Sequence, residues 1–489
     1  MIEMTKRKVF LFVVSAVVLA IGSDVMAEEA ARKTRDEIAK LSLIELAPTI
    51  VDINRRYYKF YGDPNTVNGD LLERSYLTDN WAGDGLRDKL VESGVYFDVA
   101  MTQFYGGNVY GGTQTRGNYF GSLDLMTNLD TAKLSNGVWP GATVFLHGEV
   151  AWGRDIGNHQ SNERSVGALI PTNYDATMPN ATNTGQFDLS EYYLVQSLSP
   201  EFSLWIGQMN GAGLIDGNQF ANSEKHQFMN TALVDNPVVG PFAHYTAFTA
   251  AAVWLPTTEH VFIAGVMDAN GKVTQTVAST YNPDETVFVG SYGWLPEFDG
   301  KPGRYQIVGA YTNKDFPSYA VGDRLSLIGE LVGLVPLKEK TDNYVTIITA
   351  DQYVYVKDKA QGIGWGPFFR FGWSPKNRNA IDQFYSLGIG GRGLLIPGRD
   401  LDFWGIGWAG THLSSDLRRD LQDLGLKRPR SFEHAIEAFY NIELTGWAHL
   451  TLDTQFIVNP IGARVVSTGN SVKDQDFAFT LGSRLQLDF

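Results

Sequence analysis

Read backwards from residue 489, apolar and polar residues alternate one for one. Phe489, Leu487, Leu485, Leu481, Phe479 and Phe477 fall on one side of the chain, and Asp488, Gln486, Arg484, Gly482 and Thr480 on the other. Successive strand residues point to opposite faces, so the pattern predicts a β-strand with one apolar and one wet face. The period recurs. In 94–104, Val95, Phe97, Val99 and Met101 alternate with Tyr96, Asp98 and Thr102. In 431–445, Phe432, Ile436, Tyr440 and Ile442 alternate with Glu433, Glu437, Asn441 and Glu443, and in 447–458, Leu450, Leu452 and Phe456 alternate with His449, Thr451, Asp453 and Gln455. Sixteen such segments are predicted, near 94–105, 116–131, 141–152, 185–198, 201–209, 244–255, 259–268, 285–295, 303–312, 343–356, 363–373, 380–391, 401–411, 430–445, 447–458 and 474–489.

The beginning of the chain says where these strands work. Lys6, Arg7 and Lys8 precede an apolar run from Val9 to Ile21, and Val25-Met26-Ala27 offers a small-residue cleavage site. That layout predicts a secretory signal peptide over 1–27, with a mature start at Glu28. No later stretch is apolar and long enough for a membrane helix. A chain that spans a membrane without helices must close into a barrel, because hydrocarbon satisfies no backbone group. The expected fold is therefore all-β: a transmembrane antiparallel barrel of about sixteen strands over 77–489, in a Gram-negative outer membrane with the lipid bilayer as solvent. A carboxylate facing lipid costs a few kcal/mol, roughly, at mid-bilayer. The acidic residues above are thus assigned to the inside, and the lumen is expected to be wet rather than packed.

The gaps support the same arrangement. With both termini periplasmic, gaps after odd strands face outward, and 153–184, 210–243, 313–342 and 412–429 are long. Ser199-Pro200, Thr445-Gly446 and Pro397-Gly398 mark short inner turns; 374–379 is short where a long loop is expected. Trp254 and Trp294 end downward strands, Trp447 begins an upward one, and Trp152 and Trp373 end upward strands, as interfacial aromatic belts require. Residues 28–76 precede the barrel; Ile38, Leu41, Leu46, Ile50 and Ile53 predict a partly helical periplasmic segment.

Composition narrows the function. The chain has 489 residues, no cysteine, 51 glycines, 12% aromatic and 19% charged residues, and a net charge of −14. Disulfides, thiolate metal sites and cysteine nucleophiles are excluded. The acidic balance argues against nucleic acid as a partner. The eight histidines show no metal spacing, and no cofactor is expected. Gly388, Gly390, Gly391 and Gly393 fit a G-x-G-x-x-G string, but Pro397 follows instead of a helix, so a dinucleotide reading fails. His412 and Ser414 could suggest a lipase-like pair, which needs an activating partner for the histidine. Glu433 and Glu437 share a strand face but are ~13 Å apart, too far for a glycosidase pair. The chain is not expected to be an enzyme.

Several segments resemble the carbohydrate-selective porin family (OprB-type). WAGDGLRDKLVESGV at 81–95 and GNVYGG at 107–112 are similar to the approach to its first strand, and SLDLMTNLDTAKL at 122–134 runs into a Trp139-Pro140-Gly141 turn. QFMNTALVDNP at 227–237 looks like its central loop, and GLLIPGRDLD at 393–402 and FIVNPIGA at 456–463 like its late strands. Asp84 interrupts the tighter Trp-Gly-Gly turn of the family. The resemblance implies sixteen strands, passive uptake of sugars such as monosaccharides, and a homotrimer. Sugars call for charged and amide partners and for aromatic ring faces. The inward positions of the pattern supply Asp124, His147 and Glu149, with Arg154 just beyond the third strand; Glu149, Arg154 and His147 are the candidate constriction residues. Asp124, Glu433 and Glu437 are candidate wall residues, and the 210–243 loop is long enough to fold into the lumen. A general or anion-selective porin is the alternative. A gated transporter would need a plug domain larger than the roughly fifty residues after Glu28, and a soluble all-β enzyme is the remaining class.

Overall fold

The computed structural model describes residues 76–77, 85–156, 165–177, 185–242, 245–272, 275, 277–319, 339–359, 361–424, 428–461 and 476–489. The signal peptide, nearly all of the 28–76 segment, and the Asp84 turn lie outside them.

Sixteen long strands form one antiparallel sheet: β1 (Val95–Gly111), β2 (Arg116–Asp130), β3 (Ala142–Gly153), β4 (Phe187–Ser199), β5 (Phe202–Met209), β6 (Ala247–Thr257), β7 (His260–Asp268), β8 (Thr286–Trp294), β9 (Lys301–Thr312), β10 (Asn343–Gln352), β11 (Ile363–Trp373), β12 (Ile381–Arg392), β13 (Phe403–Leu413), β14 (Phe432–Thr445), β15 (Ala448–Val458) and β16 (Phe477–Asp488). Each pairs with its sequence neighbour, and β1 also pairs with β16, from Ala100↔Asp488 to Gly111↔Ala478. That last pairing closes the sheet, so no edge is left. Every strand overlaps its predicted segment. The largest difference is at β1, which continues through Gly106-Gly107-Asn108-Val109-Tyr110-Gly111. Those residues carry no apolar alternation; they are held by pairing with both β2 and β16, across a bulge at Asn108/Tyr110. The β1–β2 connection is consequently a short turn at 112–115, not a long outer loop.

Polarity is turned inside out. On β16, Thr480, Arg484, Gln486 and Asp488 are buried, while Leu481 and Phe477 are exposed. On β14, Glu433, Glu437 and Asn441 are buried and Ile436 and Leu444 exposed. The inward carboxylates sit where the alternation puts them, and the exposed belt is apolar, with Trp254 and Trp373 on it.

The interior departs from the expected open water. Two loops fold into it and pack. Phe228, Leu233 and Val238 from the β5–β6 loop join Ile347, Phe368, Phe384 and Phe439 of the inner wall in one apolar cluster. Glycines on β11 and β13 make the room. A Cβ at Gly372 would lie 2.4 Å from Val238 Cγ2, and one at Gly407 would lie 2.9 Å from Leu233 Cδ2. The glycine string on β12 is likewise sheet: Gly388 and Gly390 are strand residues, with no helix after them.

At the short-turn end, an eight-residue helix α1 (Leu86–Ser93) abuts β1. Arg87 lies between the rings of Tyr76 and Phe97, 4.0 and 4.2 Å from their centroids, and donates to the carbonyls of Phe97 and Phe489. The amide of Phe489 donates to Val99 O at 2.8 Å. The terminal residue is thus tied to the first strand.

The lipid face yields the first prediction. Leu481 stands at the middle of β16 and is half exposed. Leu481→Arg is expected to lower unfolding stability in lipid vesicles by about 2–4 kcal/mol, as an arginine at the bilayer midplane does. Denaturant titration measures it, and wild-type stability for this variant would refute the outward assignment.

Candidate functional site

The lumen is built from three sources: inward side chains, the β3–β4 loop (residues 165–177) and the β5–β6 loop (residues 211–242). Asp124 on β2 and Glu149 on β3 are cross-strand partners, and His147 is one inward step away, opposite Met126. Like charges directly opposed on a sheet repel. Here His147 lies between them, its Nε2 3.1 Å from Asp124 Oδ1 and 3.6 Å from Glu149 Oε1. Its Nδ1 is 3.2 Å from Glu191 Oε1 on β4. A register shift at His147/Gly148 brings Glu191 there, which is how bulges commonly re-aim a side chain. All four residues are buried. With a carboxylate at each ring nitrogen, the imidazole is placed to donate on both sides.

The loops complete the cluster. Lys225 donates to Asp124 Oδ2 at 2.7 Å and to Asp175 Oδ2 at 3.1 Å. Tyr245 OH donates to Glu149 Oε1 at 2.6 Å, and Ser122 OH to Asp175 Oδ2 at 3.1 Å. Burial works against the charge on Lys225, but Asp124, Asp175 and Glu224 outweigh it and hold its amine above the ordinary lysine range. Beside this cluster is a cavity of only about 30 Å³, walled by Asp124, His147, Glu191, Lys225 and Tyr245 among others. That is room for about one water. Asp124, His147 and Glu149 also offer one ligand atom each within 4.8 Å of one another. A metal ion there would have to displace His147 from its carboxylates.

The remaining candidates serve elsewhere. Arg154 is at the exposed mouth, where its amide donates to Tyr119 O. Glu433 and Glu437 hold loops: Glu433 accepts from the amides of Leu169, Ile170 and Ile461, and Glu437 from those of Met229 and Asn230. They line the wall, but they face loop backbone. His412 does have an acidic neighbour, with Asp382 Oδ1 2.5 Å from its Nδ1. The Ser414 hydroxyl, however, caps the helix Ser415–Asp423 and donates to Lys376 O, so it is not aligned as a nucleophile.

Sequence reading missed Arg370, Arg484, Lys225 and Asp175. Arg370 on β11 is fully buried and donates to Asp216 Oδ1 (3.0 Å), to Leu233 O (2.9 Å), to Val234 O (3.1 Å) and to Asn222 Oδ1 (3.1 Å). Arg484 on β16 donates to Gln227 O and Thr451 Oγ1, both at 2.9 Å, and to Glu224 O. The signal for these two was present, since both occupy inward positions of strands.

Thus the barrel encloses a cluster of buried charged side chains packed against two inward-folded loops. The sequence profile of the carbohydrate-selective porin, OprB family matches residues 114–489. The chain belongs to this family. No curated protein sequence matches it. Among solved structures, the high-pH structure of Pseudomonas putida OprB superposes with a TM-score of 0.71 at 19% identity, covering 86% of this chain and 100% of that one. The low-pH structure of the same protein gives 0.51 at 14% identity, over 85% and 99%. These likenesses show the fold. This OprB-family porin is accordingly an outer-membrane carbohydrate channel with a sixteen-stranded barrel.

Burial, and then the Asp216 charge, push the carboxyl of half-buried Asp235 up to about 8. Burial also raises Asp216, against Arg370. A carboxyl raised in the folded state keeps a proton that the unfolded chain has released, so the folded loop loses stability as pH rises from the ordinary carboxylate range through about 8. Protection of the 211–242 amides, measured relative to the intrinsic base-catalysed exchange rate, is therefore expected to fall between about pH 5 and about pH 9. Asp235→Asn should flatten that trend; a flat wild-type protection profile would contradict the raised Asp235 carboxyl.

Proposed function

We propose that this porin passes monosaccharide-sized neutral sugars by passive diffusion, and that Asp124, His147, Glu149 and Lys225 form its constriction, with Arg154 acting at the mouth. The single observation that carries the reading is the buried cluster of opposite charges drawn together by an inward-folded loop. Such a site offers donors and acceptors to hydroxyls from several directions. Selection then follows from bore and from lumen charge. Nothing in the reading requires energy coupling.

Permeability of a non-selective or anion-selective pore is the competing reading. The cluster itself disfavours anions, because four carboxyl groups, Asp124, Glu149, Asp175 and Glu191, surround one ammonium, Lys225, and one imidazole, His147. The homotrimer implied by the resemblance is an expectation that native mass measurement in detergent decides.

Liposome swelling across monosaccharides, disaccharides and ions tests the proposal. Wild type is expected to pass monosaccharides fastest. Glu149→Gln and Arg154→Ala should each change the monosaccharide ranking by about two- to tenfold, the worth of one ordinary hydrogen bond. Unchanged ranking in both variants would remove Glu149 from the constriction and Arg154 from the selective path, and equal rates for sugars and small anions in wild type would favour the general porin.

A further inference from the structure

Lys225, Arg304, Arg370 and Arg484 are cations nine-tenths or more buried inside the barrel. Three of them are used. Lys225 is held by Asp124 and Asp175, Arg370 by Asp216 and loop carbonyls, and Arg484 by Glu224 O, Gln227 O and Thr451. Arg304 differs. It projects inward from β9 and is 8% exposed, and no hydrogen bond or ion pair among the described residues reaches its guanidinium. It opens instead on a cavity of about 510 Å³ between the β5–β6 loop and the short-turn end. A buried cation without a partner is costly unless water or a ligand serves it. The volume is in the range of small-molecule sites, roughly 300–1,000 Å³.

The surroundings specify the ligand. Asp351 is the cross-strand partner of Arg304, and its Oδ2 accepts from the Gln219 amide at 3.0 Å. Asn218, Asn222 and Gln227 add amide groups from the loop, and Tyr353 adds an aromatic wall. The other charges on the cavity are matched: Lys359 pairs with Glu297, and Arg392 has Glu443 at 3.6 Å. With Asp351 beside Arg304, the cavity carries no net cationic excess to select an anion. A guanidinium presents two parallel N–H donors, and a carboxylate two acceptors. Side by side they suit adjacent hydroxyls of a neutral sugar.

We propose that Arg304, with Asp351, forms a second sugar subsite on the short-turn side of the constriction, binding one neutral monosaccharide through vicinal hydroxyls. This rests on the sugar-pore reading above. A sugar leaving the constriction would exchange its partners there for Arg304 and the loop amides, so the subsite holds solute on the exit side.

The full-length protein in planar bilayers provides the test, with D-glucose or D-glucuronate added to either side and ion-current block recorded. Variants are Arg304→Ala, Arg304→Gln and Arg304→Lys, each first checked for the heat-modifiable migration of a folded barrel. Glucose on the short-turn side is expected to block wild type. The half-blocking concentration should rise about tenfold in the Ala and Gln variants and less in Lys, the loss expected for charged hydrogen bonds. Block from the long-loop side should change less. If wild type is blocked and Arg304→Gln is blocked identically, the subsite is overturned while the sugar pore stands. A loss confined to glucuronate overturns the neutral-sugar assignment. Failure of wild type to admit any sugar in the swelling assay overturns the pore reading and this subsite with it.

Discussion

The structure depends on one constraint: in hydrocarbon every backbone N–H and C=O must find its partner within the protein. A sheet meets it only by closing, and closure here is the pairing of β1 with β16. Closure then dictates the rest. Alternate residues of every strand must meet lipid, so Leu481, Leu452 and Ile436 are exposed although apolar. The intervening residues are enclosed, so Arg484, Asp453 and Glu437 are buried although charged. The ends are secured together: Phe489 bonds to β1, and Arg87 of the preceding helix reaches the Phe489 carbonyl.

Enclosed charge creates a second demand, since a charge out of water needs partners. The barrel meets it largely with loop backbone. Glu433 and Glu437 take amides that lie outside regular sheet, and Arg370 and Arg484 take carbonyls. Each such bond satisfies a buried ion and an irregular backbone group at once. The loops become part of the core, and the glycines of β11 and β13 let Val238 and Leu233 seat against the wall. The 165–177 and 211–242 segments also bond to each other, Tyr174 N to Met229 O and Thr231 N to Pro171 O, so the two inward loops are one connected body.

This division explains what the sequence disclosed. Strands show a period of two because lipid imposes it on every turn of the pattern, and Asp124, His147 and Glu149 could be picked out because they sit on its inward phase. Arg370 and Arg484 occupy the same phase and were equally legible by that rule. Lys225 and Asp175 were not: they lie in loops without a period, and Lys225 meets Asp124 across 101 residues of chain. Nor could the pattern show that Glu433 faces the amides of Leu169 and Ile170 rather than water, a contact over more than 260 residues. The end of β1 was hidden for a local reason, since its last residues are mostly glycine, asparagine and tyrosine, held by pairing with β2 and β16 and by Asn108 donating to the carbonyls of Gly111, Gln114 and Ser165.

The placement of sign along the lumen bears on what can cross. Near the proposed constriction an anion meets Asp124, Glu149 and Glu191, and a cation meets Lys225, all gathered around His147 at close range. Coulomb energies between unit charges a few Å apart reach about 4 kcal/mol even at an effective dielectric of 20. An ion of either sign that sheds its hydration shell must therefore pass a repelling group within the same cross-section. A hydroxyl presents both a donor and an acceptor, so it exchanges water for these groups in either orientation. On the proposed reading a charged lumen of mixed sign favours neutral, hydroxyl-rich solutes without an apolar slide, and the side chains that would select them also hold the loops in place.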